Sequence, residues 1–100
     1  MLEIKETENY RRWFRSLRDP RAQKRILTRL VRLIQGNAGD VRSIGEGVSE
    51  LRIDYGPGYR VYFVRRGSSL VILLGGGDKR TQARDIKTAL QLSVEVKQTP

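Results

Sequence analysis

Two stretches of alternating side chains, separated by Gly56-Pro57-Gly58, constrain this chain more than any other feature in it. In Ser49–Tyr55, Leu51, Ile53 and Tyr55 alternate with Glu50, Arg52 and Asp54. In Tyr59–Arg65, Tyr59, Val61 and Phe63 alternate with Arg60, Tyr62 and Val64. A period of two puts each set on one face of a strand, and glycine and proline between two such runs mark a β-hairpin. One face suits a core. The other is cationic and aromatic. A turn centred on Pro57 sets Asp54 opposite Arg60 and Arg52 opposite Tyr62, with all four on that second face. Such a face makes a platform for RNA, because guanidinium groups grip phosphate bidentately and a tyrosine ring stacks on a base. It equally suits a solvated surface carrying an Asp54–Arg60 cross-strand pair worth about 0.2–1 kcal/mol.

The flanking segments complete an α+β pattern. Leu2-Glu3-Ile4-Lys5 alternates as a short half-buried strand does, and Thr7 can cap the helix that follows. Tyr10, Trp13, Phe14 and Leu17 recur at helical spacing. Asp19-Pro20 reads as an N-cap followed by proline at the first helical position. Ala22, Ile26, Leu27, Leu30, Leu33 and Ile34 then draw an apolar stripe as far as Gly36. Val41–Ile44 suits a short strand. Leu70–Leu74 is the continuous apolar run of a strand buried on both faces, ended by Gly75-Gly76-Gly77. Thr81–Val96 reads as a last helix with Ala83, Ile86, Leu90 and Val94 on its apolar side. The expected order is β-α-α-β-β-β-β-α: an N-terminal strand and a helical hairpin packed on a twisted, mostly antiparallel sheet, with a C-terminal helix. Residues 1–97 are expected to form a single domain and 98–100 a frayed tail.

Charge points to partners. The chain carries 20 Lys and Arg against 11 Asp and Glu, a net charge of +9. An excess of this size fits nucleic acid, an anionic membrane or an acidic protein. No apolar run approaches the roughly 20 residues that span a bilayer, so no membrane role and a cytoplasmic location are expected. The chain has no Cys and no His. Disulfides, the usual zinc sites and cysteine nucleophiles are excluded, and no cofactor or metal is implied. Chemistry falls to Arg, Lys, Tyr, Asp, Glu or the substrate itself.

Three further features bear on function. Gly75-Gly76-Gly77 is followed by Asp78-Lys79-Arg80 and a helix start near Thr81. Glycines let backbone approach a phosphate. The GxxxxGK[ST] spacing of a P-loop is absent, and a plain glycine-rich connection reads as well. Nine cations, Arg11, Arg12, Arg15, Arg18, Arg21, Lys24, Arg25, Arg29 and Arg32, meet only Asp19 over the same stretch of the helical hairpin. That excess is larger than solubility needs, and docking on nucleic acid or on an acidic protein explains it better. The last helix either covers the sheet or walls a groove for a partner helix.

The segment from Glu50 through Gly56-Pro57-Gly58 to Phe63 resembles the central hairpin of RelE/ParE-superfamily toxins. It is most similar to the phage-derived, Gp49-like and HigB-like branch of addiction-module killer proteins. Leu73-Leu74-Gly75-Gly76-Gly77-Asp78-Lys79-Arg80-Thr81-Gln82 resembles that branch's strand-end motif, and Asp85–Ala89 continues it. The resemblance implies a RelE-like fold and the toxin of a type II toxin–antitoxin module, neutralised by a cognate antitoxin. It implies a ribosome-dependent endonuclease acting on mRNA, with Arg60, Lys79 and Arg80 catalytic and Arg52, Tyr59, Tyr62 and Arg66 contacting RNA. Two positions depart from it. Asp85-Ile86-Lys87 stands where RelE proper carries an aromatic hydroxyl, and Glu50 stands where ribosome-dependent members often carry Lys. The alternative within the superfamily is a non-enzymatic, ParE-type inhibitor of DNA gyrase acting through its helices.

Overall fold

The computed structural model describes residues 2–97. The tail expected at 98–100 lies outside them. The elements run β1 (Glu3–Glu6), α1 (Glu8–Ser16), α2 (Pro20–Ile34), β2 (Val41–Gly45), β3 (Val48–Ile53), β4 (Tyr59–Arg66), β5 (Leu70–Gly77), a 3₁₀ turn (Lys79–Thr81) and α3 (Gln82–Lys97). The five strands form one mixed sheet in the order β1-β5-β4-β3-β2. The β1–β5 pair is parallel and the others are antiparallel.

Caps fix the helices where the sequence sets them. The Thr7 hydroxyl accepts from the Tyr10 amide at 3.2 Å and donates to the Leu73 carbonyl at 2.8 Å, so one side chain starts α1 and ties it to β5. Asp19 accepts from the Arg21 amide at 2.9 Å, and Pro20 opens α2. These satisfy amides that a helix start leaves without an intrahelical partner.

The helices fall on both faces of the sheet. Tyr10, Ile26, Leu30 and Leu33 pack with Leu51, Ile53, Val61, Phe63, Val71 and Leu73 under α1 and α2. On the other face Val48, Tyr62, Val64, Ile72 and Leu74 pack with Ala89 of α3. The last helix therefore covers the sheet. Leu27 and Val94, read from periodicity as core, are each 49% exposed, and Ala83 is exposed too. A stripe drawn from helical spacing is wider than the strip a helix presents to a flat sheet.

The hairpin register corrects the expected one. Arg52 lies opposite Arg60 and Glu50 opposite Tyr62. Asp54 leaves the strand for the loop, where the Tyr55 amide donates to the Ile53 carbonyl and the Gly58 amide to the Tyr55 carbonyl. The shift from the expected pairing is two residues. An even shift keeps every side chain on its face and changes only its partner. The Asp54–Arg60 pair does not form, and two like charges face each other instead.

The three glycines of β5 are also strand. Gly75, Gly76 and Gly77 pair with Tyr62, Val61 and Arg60, so they continue the run rather than end it.

Glu46 and Gly47 join β2 to β3 with φ of +54° and +76°. Two positive φ values in a two-residue loop define the type I′ turn, whose twist matches the strands. Glutamate pays a steric penalty there that asparagine largely escapes. Glu46→Asn is expected to raise stability by up to about 1 kcal/mol, read as a higher urea midpoint at unchanged slope.

Candidate nucleic-acid cleft

The hairpin loop, the end of β5 and the loop before β2 meet at one end of the strands. There Arg52, Arg60 and Lys79 line a cleft of about 320 Å³, with Asp40, Asp54 and Gly58 among its other walls. The Lys79 amide donates to the Pro57 carbonyl at 3.4 Å, linking the 3₁₀ turn to the hairpin loop. That turn is set by a reciprocal cap. Asp78 accepts from the Arg80 amide at 2.8 Å, and the Thr81 hydroxyl accepts from the Asp78 amide at 3.3 Å.

Gly58 is where loop and cleft depend on glycine. Its φ is +81°, and a Cβ there would stand 3.0 Å from Arg60 Nη1 and 3.3 Å from Lys79 Cγ. The Gly58 carbonyl accepts from Arg60 Nη1 at 2.5 Å, which turns the guanidinium back toward the loop.

Arg52 and Arg60, facing each other across β3 and β4, would repel. Each has its own acid. Arg52 Nη2 donates to Asp40 at 2.9 Å, and this bond holds the Asp40 carboxyl below its ordinary range and the Arg52 guanidinium above its own. Arg60 Nε lies 3.9 Å from Glu50, too far to count as a hydrogen bond. Glu50 has no exposed surface. Its Oε1 accepts from Arg42 Nε at 3.2 Å, and its Oε2 from the Tyr62 hydroxyl at 3.0 Å and Gln82 Nε2 at 2.9 Å. A buried carboxylate is tolerable when its lone pairs are filled and a cation is near, and Glu50 meets both conditions. It also joins β2, β3, β4 and α3 at one point.

The seven residues proposed from sequence separate accordingly. Arg52, Arg60 and Lys79 come together in the cleft. Arg80 stands beside it with its side chain 82% exposed and paired to Asp78 at 3.2 Å. Tyr59 lies on the opposite face of β4, half-buried, with Trp13 edge-on at a centroid distance of 6.4 Å. Tyr62 corrects the surface reading. It keeps the face expected of it, but α3 covers that face and no part of Tyr62 reaches solvent. Burial first, and then the bond to Glu50, raise its hydroxyl pKa. Arg66 ends β4 opposite Leu70, six residues from Arg60 and about 20 Å away at the rise of a strand, so it belongs to the opposite end of the sheet's strands.

Glu50 and Gln82 were missed from sequence. Alternation did place Glu50 on the face of Arg52, Arg60 and Tyr62. Its burial depends on α3, which spacing in β3 does not report.

The glycine run carries packing. A Cβ on Gly76 would overlap the Trp13 ring, one on Gly77 would overlap Asp85, and one on Gly75 would sit 2.6 Å from Asn9 Nδ2. Asn9 Nδ2 also donates to the Leu74 carbonyl at 2.9 Å. Side chains of α1 and α3 thus stand against all three glycines, and beside Gly75 and Gly76 a cleft of about 390 Å³ remains, walled by Asn9, Arg12, Trp13 and Arg84 among others.

Two helices over one face of a mixed five-stranded sheet, a third over the other, and a cleft lined by Arg52, Arg60 and Lys79 at the hairpin loop define a small, basic α+β protein. The family model described as phage-derived protein Gp49-like (DUF891) matches residues 12–93, and the chain belongs to that family. A Haemophilus influenzae protein described only as uncharacterized is 47% identical over 95 residues, covering 95% of this chain and 96% of that one. Among the described residues, no helix is long and apolar enough to cross a membrane.

Removing Glu50 leaves Arg60, 8% exposed, without its compensating charge. Glu50→Ala is expected to lose about 3–5 kcal/mol in urea unfolding, and Tyr62→Phe, which removes a hydrogen bond to a buried carboxylate, about 1.5–3 kcal/mol. Gly76→Ala is expected to cost about 1–3 kcal/mol, and combined with Trp13→Ala less than the sum of the two.

Proposed function

We propose that this protein is the toxin of a type II toxin–antitoxin module of the RelE/ParE superfamily, and that it cleaves mRNA on the ribosome. The observation that carries this reading is the convergence of Arg52, Arg60 and Lys79 on one cleft beside the hairpin loop. The chain belongs to a toxin-like, addiction-module family, which supports the toxin assignment and an antitoxin as partner.

In the proposed reaction the RNA supplies its own nucleophile. The 2′-hydroxyl oxygen attacks the adjacent phosphorus, and the bond from phosphorus to the 5′-oxygen breaks. A 2′,3′-cyclic phosphate and a 5′-hydroxyl result, the 2′-hydroxyl losing its proton and the 5′-oxygen gaining one. The protein must hold the phosphate in line and stabilise the charge on its oxygens. Arg60 is suited to this. Its position is fixed by the Gly58 carbonyl and by the Glu50 charge behind it, so little reorganisation is needed. Arginine is always charged and cannot serve as the base. Lys79 is the lining group suited to proton transfer, and Arg52 meets phosphate by exchanging Asp40 for it. The ribosome and the message supply the remaining alignment.

In a translation reaction with a defined message, wild type is expected to cleave the message in the ribosomal A site, and Arg60→Ala and Lys79→Ala to cleave at least about 100-fold more slowly. Undiminished cleavage by both variants would refute the assignment. Inhibition of gyrase supercoiling without RNA cleavage would transfer the protein to the ParE-type reading.

A further inference from the structure

The largest concentration of positive charge is not in the cleft. The cleft holds Arg52, Arg60 and Lys79 against Asp40 and Asp54, with buried Glu50 behind Arg60, so it is close to balanced. Beside it, a groove of about 720 Å³ runs between α2 and the end of β3 and sets five cations, Arg21, Lys24, Arg25, Arg29 and Arg32, against Asp54 in its lining and Asp19 behind Tyr55. Ile53 and Asp54 line both, so groove and cleft adjoin.

The basic block of the helical hairpin divides between several tasks. Arg11 and Arg15 are paired with Glu8 at 3.1 and 3.2 Å. Arg29 is structural: its Nη1 donates to the Arg52 carbonyl at 2.6 Å and its Nη2 to the Ala38 carbonyl at 2.9 Å, which pins α2 to β3 and the loop before β2. Arg21, Lys24 and Arg32 are exposed on the groove side, spread over twelve residues, about 16 Å of helix. Arg25 Cζ lies over the Tyr55 ring, 4.7 Å from its centroid, and the Tyr55 hydroxyl is itself held by Asp19 at 3.0 Å.

We propose that this groove is the main RNA-gripping surface and that it binds the single-stranded segment flanking the phosphate held in the cleft. The inference rests on the RNA reading above and adds to it the location of most of the affinity. A row of exposed cations on a rigid helix matches the repeating charge of a strand, and exposed Arg25, held over the Tyr55 ring, offers a guanidinium to a base or a phosphate. An amphipathic protein helix fits less well. Such a partner needs apolar anchors, and the aliphatic Ile53 in the lining is buried, while exposed Leu27 and Val31 lie outside the groove. Asp54, at the junction, opposes phosphate and limits affinity there.

The test is fluorescence anisotropy with a labelled, mixed-sequence single-stranded RNA of about 12 nucleotides, titrated over a range of salt. The variants are an Arg21→Ala, Lys24→Ala, Arg32→Ala triple, Asp54→Asn and Arg60→Ala. For three lost phosphate contacts the slope of log affinity against log salt is expected to become shallower by about 2 in the triple variant, and by less than 1 in Arg60→Ala. Asp54→Asn is expected to bind more tightly than wild type. Circular dichroism checks folding, and Lys24→Glu alone, expected to weaken binding in the same direction, replaces the triple if that variant unfolds. An unchanged slope in the folded triple or an unaffected Lys24→Glu would overturn the proposal. So would loss of affinity for polyglutamate with RNA binding intact, which would assign the groove to an acidic protein. Failure of wild type to bind the RNA would overturn it too, whereas cleavage of a translated message by that same protein would leave the preceding reading standing.

Discussion

The absence of side chains on the last three residues of β5 is the constraint on which the rest of the architecture depends. A strand with Cβ atoms there would hold both helical layers away from the sheet. With glycine, Asn9 and Trp13 of α1 settle over Gly75 and Gly76, and Asp85 of α3 settles against Gly77. Thr7 adds a hydroxyl bond to the Leu73 carbonyl. The start of α1 and the start of α3 are thus fixed to the same few residues. The 3₁₀ turn bearing Lys79 follows directly, so its place beside the hairpin loop comes from this close approach.

A second constraint acts one strand away. The register of β3 on β4 sets Arg52 against Arg60, an arrangement that repulsion alone would disfavour. Asp40 neutralises Arg52 from the exposed side, and Glu50 offsets Arg60 from the buried side. The two acids are not equivalent. Asp40 is open to water and can be exchanged for another anion, whereas Glu50 is held by Tyr62, Gln82 and Arg42 and cannot move without disturbing α3. One arginine is therefore exchangeable and the other pre-positioned, which is the difference the proposed cleavage requires between capturing a phosphate and stabilising its developing charge.

Charge is distributed unevenly over the surface for the same reason. Acids drawn into the cleft hold its arginines and reduce its net field. The groove on α2 has no such duty beyond Arg29, so its cations remain available. A high overall charge does not say where a polyanion binds. The local balance of acids and bases does.

How much of this was legible in the sequence follows from the range of the forces involved. Local signals fixed the elements: alternation gave β3 and β4, apolar spacing gave α2, and Thr7 and Asp19 gave the helix starts. Alternation also assigned the hairpin residues that stay in the strands to their faces correctly, because parity survives an even slip in register. The partner across the sheet did not follow, since loop geometry decided it and moved Asp54 out of the strand. Tyr62 was read as a surface aromatic because nothing in β4 reports that α3 covers that face. Glu50 was read as a departure from a pattern because a buried carboxylate is recognised only by the donors that converge on it from β2, β4 and α3. The glycine run was read as a loop because glycine needed for close approach and glycine needed for a turn look alike along the chain. The sequence by itself determined the elements, the faces and the excess of positive charge, all matters of local spacing and composition. Only the tertiary structure decided which charges are spent on one another and which remain for a ligand, because that depends on distances between residues far apart in the chain.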